Sequence, residues 1–247
     1  MKVVIFFLFG LICCLSGCAV PSLEKGTPGT GSPASAHEGM DLWESCDATQ
    51  AESYRNAADQ DAKAALRGAA CYAYLVERGS GDLVAAENGR KLAEKAVDAF
   101  PKSAEAHYLL GYLTGLVAQR SPLKALSLVP IIEREALAAI DLNPRLDQAG
   151  PARMLGDLYL RAPEFPLSIG DPALAVEYFR QAVELDPDQA DNRLGFIEAL
   201  LVEDQTADAC RQLQNLWQTL APEEDPGSVW QRGLDLQLRL CEGLEQN

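Results

Sequence analysis

Only two histidines stand in the 247-residue chain, so acid–base or metal chemistry has few places to start. His37 lies in a stretch rich in Pro, Gly and Ser. His107 falls inside an apolar helical segment, where a hydrogen-bonded structural role outweighs that of a ligand or base. The acidic clusters Asp186-Pro187-Asp188 and Glu223-Glu224-Asp225 sit at turn-forming prolines, the pattern of solvated helix ends and not of a calcium loop. No His-Glu-x-x-His, Cys-x-x-Cys, Gly-x-Ser-x-Gly or phosphate-cradling glycine loop occurs. The residues point to no catalytic centre, no metal site and no cofactor, and the expected class is a binding protein, not an enzyme.

Cysteine is the remaining reactive type, with seven in the chain. Met1-Lys2 opens an uninterrupted apolar run from Val3 to Leu15, too short to span a membrane and followed at once by small residues. The run closes on Leu15-Ser16-Gly17-Cys18, which resembles the lipobox of bacterial lipoproteins. Residues 1–17 are then a signal peptide, and Cys18 becomes the acylated N-terminus. Multiple acyl chains on one residue hold a protein stably on a bilayer. With Ala19, not Asp, after the cysteine, the expected location is the periplasmic face of the outer membrane.

Cys13 and Cys14 leave with the signal, so Cys46, Cys71, Cys210 and Cys241 remain in an oxidising compartment. An even number there suggests two disulfides, with free buried thiols the alternative. Cys210 and Cys241 are equidistant from the turn Asp225-Pro226-Gly227, which places them opposite one another in a helical hairpin. Their closure contributes about 2–4 kcal/mol. Cys46 and Cys71 are an open case. They can pair across a turn, but one helix running from a Thr49/Glu52 capping box to Arg78 would set them about 37 Å apart.

The elements that must carry these residues begin after a tether, residues 18–39, whose Pro, Gly, Ser and Thr content cannot bury enough surface to fold. Its root-mean-square reach is about 25 Å. Residues 40–247 suit one folded domain. The chain carries 21 basic against 36 acidic residues, a formal charge of −15, which repels nucleic acid and anionic lipid; contact with the membrane is expected through the lipid alone.

Within the domain, three segments end alike, on Phe100-Pro101, Asn143-Pro144 and Asp186-Pro187. These prolines, and Ala96, Ala139 and Ala182, recur every 43 residues. A small residue that lets helices approach, followed by a proline that stops the helix, is the second half of a tetratricopeptide-like hairpin. First helices follow, at Ala104–Val117 with Tyr108, Gly111 and Tyr112, and at Ala152–Leu160 with Gly156 and Tyr159. A fourth, degenerate unit runs from Ala190 to Leu220, and an amphipathic helix near Ser228–Gly243 serves as the cap that such arrays need. The fold class is all-α, a helical-hairpin solenoid.

The period exceeds the roughly 34 residues of the common repeat, and the excess falls between the helices of each hairpin, at Arg120–Pro130 and Arg161–Ile169. Both stretches are expected as loops on one edge, and both are unusually apolar. The helix holding Tyr108 and Tyr112 is apolar nearly all round, so it is core or lines a cavity. Leu126, Leu128, Phe165, Leu167, Tyr108 and Tyr112 are therefore expected to border one cavity or groove. Arg153 and Tyr159 lie nearby as polar contacts for a carboxylate, although an arginine at a helix start also serves as a tie to a neighbouring loop.

The run Gly150-Pro151-Ala152-Arg153-Met154-Leu155-Gly156-Asp157-Leu158-Tyr159, with Ala162-Pro163, Pro166 and Ser168-Ile169-Gly170-Asp171, goes beyond a generic repeat. Over Pro101–Leu201 the chain resembles the T-component (TatT) lipoproteins of tripartite ATP-independent periplasmic (TRAP) transporters. The resemblance implies a helical-repeat homotrimer with an internal apolar cavity and a periplasmic solute-binding protein as partner. It suggests an accessory role in uptake, binding a hydrophobic or amphipathic organic solute or docking its carrier. A plain docking scaffold for envelope assembly is the alternative. An enclosed pocket ringed by the two inserts would favour the first, and an open groove the second.

The lipobox generates a direct prediction. Cys18→Ser yields uncleaved precursor or soluble periplasmic protein, read by detergent-phase partitioning; a variant that still partitions like wild type refutes acylation at Cys18.

Overall fold

The computed structural model describes residues 41–219 together with residues 231, 233 and 236. Among these, nine helices follow one another: α1 (Ala48–Ala57), α2 (Ala62–Glu77), α3 (Leu83–Ala99), α4 (Ala104–Arg120), α5 (Pro122–Leu142), α6 (Gly150–Arg161), α7 (Pro172–Leu185), α8 (Ala190–Val202) and α9 (Thr206–Thr219). Most starts are capped as the sequence allows. The side chains of Asp47, Asp61, Asp82, Ser103 and Asp171 each accept from a backbone N–H of the first turn, satisfying donors that have no partner inside the helix. Pro122, Pro151 and Pro172 occupy first-turn positions where a missing N–H costs nothing.

Each helix packs on the next, and α2 also touches α4, α4 touches α6, and α6 touches α8. That pattern makes a two-layer solenoid: the first helix of each hairpin forms one layer and the second helix the other. The alanines of the 43-residue period, Ala96, Ala139 and Ala182, are fully buried on α3, α5 and α7, where a bare Cβ lets neighbouring backbones close up. Phe179 of α7 is fully buried as well. Its ring lies between Gly156 of α6 and Gly195 of α8, where an added Cβ would stand 2.7 and 2.1 Å from the ring. A large aromatic on one helix is thus matched by glycines on two others. Two apolar clusters, α1–α5 and α5–α9, share Met154 as a bridge.

One expectation about the elements is corrected. Arg120–Pro130 is not a loop: α5 starts at Pro122 and runs 21 residues straight through Pro130, because the apolar side chains there repeat at helical spacing and the helix turns Leu128 and Val129 into the core. Arg161–Ile169 is irregular beyond α6, and is tied by backbone bonds from Gly170 to Pro163 (2.9 Å) and from Asp171 to Tyr159 (2.9 Å). The structure also settles the open case between Thr49 and Arg78. The capping box there is Asp47/Gln50, and the helix ends at Ala57, since Asp61 caps a new one. The hairpin that results brings the Cys46 and Cys71 Cα atoms to 5.5 Å, and a disulfide joins them. Cys210 on α9 is also disulfide-bonded; Cys241, the partner expected for it, lies outside the described residues. So do the signal peptide, Cys18 and the tether, and of the capping helix only Gln231, Gly233 and Leu236 are described, all helical.

Because the Phe179 ring fills a slot built by two glycines, both directions of substitution are informative. Phe179→Ala should lower the unfolding free energy by about 3–5 kcal/mol, and Gly195→Ala by about 1–3 kcal/mol through overpacking. Denaturant titration followed by circular dichroism measures both.

Candidate functional site

The first-layer helices carry one face each into a shared, partly open groove of about 1110 Å3. From α4 come Tyr108, Gly111, Tyr112, Gly115 and Gln119, and from α6 Gly150, Arg153, Met154, Asp157 and Arg161. Steps of three and four residues place each set on a single helical face. Tyr74, Glu77 and Arg78 of α2 close one end, and Asp191, Gly195 and Glu198 of α8 the other. The start of α5 adds Ala125, Leu126, Val129 and Ile132 as a wall. Nothing lies within 4 Å of a Cβ built on Gly115, which looks into open space.

Tyr108, Arg153 and Asn192 each stand three residues before a glycine of their helix, Gly111, Gly156 and Gly195. All three reach the α5–α6 connection. The Tyr108 hydroxyl donates to Asp147 Oδ2 at 2.5 Å, Arg153 Nη2 to the same oxygen at 3.0 Å, and the Trp43 indole N–H to Asp147 Oδ1 at 2.7 Å. Arg153 also donates to Asn192 Oδ1 (2.7 Å), and Asn192 to the Gln148 carbonyl (2.9 Å). These bonds hold a costly backbone. Asp147, Gln148 and Ala149 have φ of 48°, 55° and 65°, left-handed conformations that cost non-glycine residues about 1–3 kcal/mol each and persist only when their surroundings impose them.

Desolvation and then the Asp147 charge hold the Tyr108 hydroxyl well above its ordinary pKa. Burial opposes the charge on Arg153, but Tyr108, Asp147, Asp191 and Asp157 together outweigh it and raise the guanidinium pKa. Tyr112, desolvated and beside Glu77, is likewise raised. Further along, Arg161 bridges Asp157 and Glu198, each at 3.1 Å, tying α6 to α8 across the groove. Desolvation keeps the Asp157 carboxyl above its usual value against the pull of Arg161.

The eight expected binding residues divide. Tyr108, Tyr112, Leu126 and Arg153 line the groove. Leu128 is on the buried face of α5, and Tyr159 turns toward α5 and α7, where its hydroxyl donates to Glu133 (2.5 Å) and its ring stacks on Tyr178 at 5.5 Å. Phe165 and Leu167 are 88% and 75% exposed on the connection after α6 and do not line the groove. Of the exposed large apolar side chains in the two stretches, Leu126 alone faces the groove. Arg153 is the structural tie of the α5–α6 loop and a groove wall at once. His107 is bonded to Glu135 (2.5 Å) and the Pro101 carbonyl (3.2 Å). Among the described residues no group of three His, Cys, Asp or Glu could hold a metal ion.

Sequence reasoning missed Trp43 and Asp147. Their hydrogen bond joins positions 104 residues apart, and no local pattern announces it. Arg153, Asp157 and Arg161, by contrast, recur every four residues, a face legible in the sequence but not singled out. The fold and the groove define an all-α, tetratricopeptide-like solenoid. No protein-family model and no curated protein matches the chain. Among solved structures it is similar to TTC0263, a thermophilic TPR protein of Thermus thermophilus, at 16% identity over 79% of this chain and 89% of that one, with a TM-score of 0.55. It is also similar to YrrB, a TPR protein with an unusual peptide-binding site, at 17% identity over 80% of this chain and 100% of that one, with a TM-score of 0.49.

The Asp147 cluster predicts an asymmetry. Asp147 and Arg153 side chains are only 14% and 18% exposed, so Asp147→Ala strands a buried cation and should cost about 3 kcal/mol or more. Asp157→Ala breaks a pair that is half in solvent and should cost less than about 1 kcal/mol. Equal losses in denaturant titration would refute the distinction.

Proposed function

We propose that this protein is a lipid-anchored docking module of the bacterial envelope whose groove receives an extended segment of a partner protein, apolar with basic flanks. The openness of the groove carries the reading. The groove crosses four first-layer helices and is only partly covered, which suits a segment of chain laid along it, whereas a small solute is better held by a closed pocket that buries most of its surface. Gly115, where an added Cβ would meet nothing within 4 Å, leaves room for backbone to lie in the groove. Charge supports the basic flanks. Glu77, Asp147, Asp157, Asp191 and Glu198 line the groove against Arg78, Arg153 and Arg161, on a chain of net charge −15. Such a module is a binding protein without cofactor or catalytic step.

A narrower reading rests on the resemblance to the TRAP T-component lipoproteins. The aromatic end, where Trp43 stands edge-on to Tyr112 at 5.3 Å and Tyr112 lies 5.9 Å from Tyr108, suits an amphipathic organic solute or the periplasmic solute-binding protein that carries it. In either case the same face is engaged.

The test replaces Gly115 by the photo-crosslinking residue p-benzoylphenylalanine in the intact envelope, with the same residue at Val84 on α3, outside the groove, as control. The expected outcome is an adduct to one protein from position 115 and none from 84, competed by a synthetic 12-residue peptide of Leu, Phe and Lys and lost in the Tyr112→Asp variant. A small-molecule adduct instead favours the solute reading, and no adduct at 115 overturns groove binding altogether.

A further inference from the structure

The segment before α1 is an arm that reaches the groove. Asp41 to Asp47 carries Trp43 to the groove wall, where its indole N–H bonds Asp147 and its ring meets Tyr112 edge-on. Two side chains hold this arm by contact, the buried Leu42 and the half-buried Trp43; Asp41, Glu44, Ser45 and Asp47 are exposed. Its one covalent hold is the Cys46–Cys71 disulfide, three residues from Trp43, which fastens the arm to α2. Cys71 is buried and Cys46 half-buried, so a thiolate from solvent reaches the Cys46 sulfur first.

We propose that the Cys46–Cys71 disulfide is a redox strap on the groove: oxidised, it holds Trp43 as a binding wall and as the third donor to Asp147; reduced, it frees the arm and weakens binding of the partner segment. This rests on the groove being the binding site. The chemistry is ordinary thiol–disulfide exchange with a dithiol reductant. A thiolate of the reductant attacks Cys46 Sγ, the S–S bond breaks, and Cys71 leaves as thiolate and takes a proton. The second reductant thiol then resolves the mixed disulfide, so that two electrons pass to the protein and the reductant closes into its own disulfide.

Release of Trp43 matters because of what it bonds. Three successive left-handed residues, Asp147 to Ala149, are kept in place by bonds from the arm, α4, α6 and α8. Removing the arm takes away the only side-chain donor to Asp147 Oδ1 among the described residues and opens the wall beside Tyr112. Both changes fall at the same end of the groove.

Wild type, the Cys46→Ser/Cys71→Ser double variant, which spares the Cys210 bond, and Trp43→Ala test this in the full chain, with Trp43→Phe as the fluorescence reference. In the double variant, amide exchange over residues 146–150 should speed by about tenfold or more, the signature of easier local opening. Acrylamide quenching of Trp43, obtained by difference from Trp43→Phe, should rise about twofold. Affinity for the Leu/Phe/Lys peptide should fall about tenfold, or 1.4 kcal/mol. Unchanged exchange and quenching overturn the strap, and a gain in peptide affinity overturns it too, by making the arm a plug. If the double variant loses its helical circular dichroism, Trp43→Ala with its disulfide intact decides: it must show the same loop and affinity changes or the proposal falls. A peptide that fails to bind wild type counts against the proposed function alone, since exchange and quenching need no ligand.

Discussion

A carboxylate removed from water has to be answered by donors, and in this protein the Asp147 carboxylate is answered from three separate elements. The N-terminal arm, α4 and α6 each send one hydrogen bond to it. Inside a protein such bonds are stronger than in water and more costly to leave unmade. Satisfying this one group therefore sets the α5–α6 connection, the approach of α4 to α6 and the position of Trp43 together. The left-handed run from Asp147 to Ala149 is tolerated because those bonds, with Asn192 on the Gln148 carbonyl, leave it no alternative.

The groove follows from a mismatch in side-chain size between the two layers. Second-layer helices bring alanines to the interface between hairpins, and α7 brings one large ring, Phe179, to the glycines of α6 and α8. The first-layer helices can then lie close, with their remaining face turned outward. Where that face carries Gly115, space is left; where it carries Tyr112, Arg153 or Asp157, the space gains chemistry. The long α5 converts what would be a shallow concavity into a walled one, because its first turns project Leu126 over the rim while Leu128 and Val129 anchor them.

Charge along the groove is arranged by the same helical faces. Arg153, Asp157 and Arg161 stand four residues apart on α6, and Arg161 reaches over to Glu198 on α8. The ion pairs are mostly half in solvent, so they contribute modestly to stability and more to the register of neighbouring hairpins and to the electrostatic character offered to an occupant.

How much of this was legible depends on the range of the interaction. The recurrence of Ala96, Ala139 and Ala182 with Pro101, Pro144 and Pro187 determined an all-α repeat, because local periodicity is what helices and their stops require. The apolar character of α4 and the membership of Tyr108, Tyr112 and Arg153 in one surface were readable for the same reason. The apolar stretch after Arg120 was misread as loop because insertion length says nothing of conformation, whereas its leucine spacing did. Which apolar residues faced inward was not readable: Leu128 and Tyr159 belong to the core and Phe165 to solvent only because of what α5, α7 and the bound-back connection bring beside them. Trp43 on Asp147, and Cys46 on Cys71, were decided by tertiary structure alone, since a contact between distant positions carries no period, and only the stacking of hairpins determines which unlike residues meet.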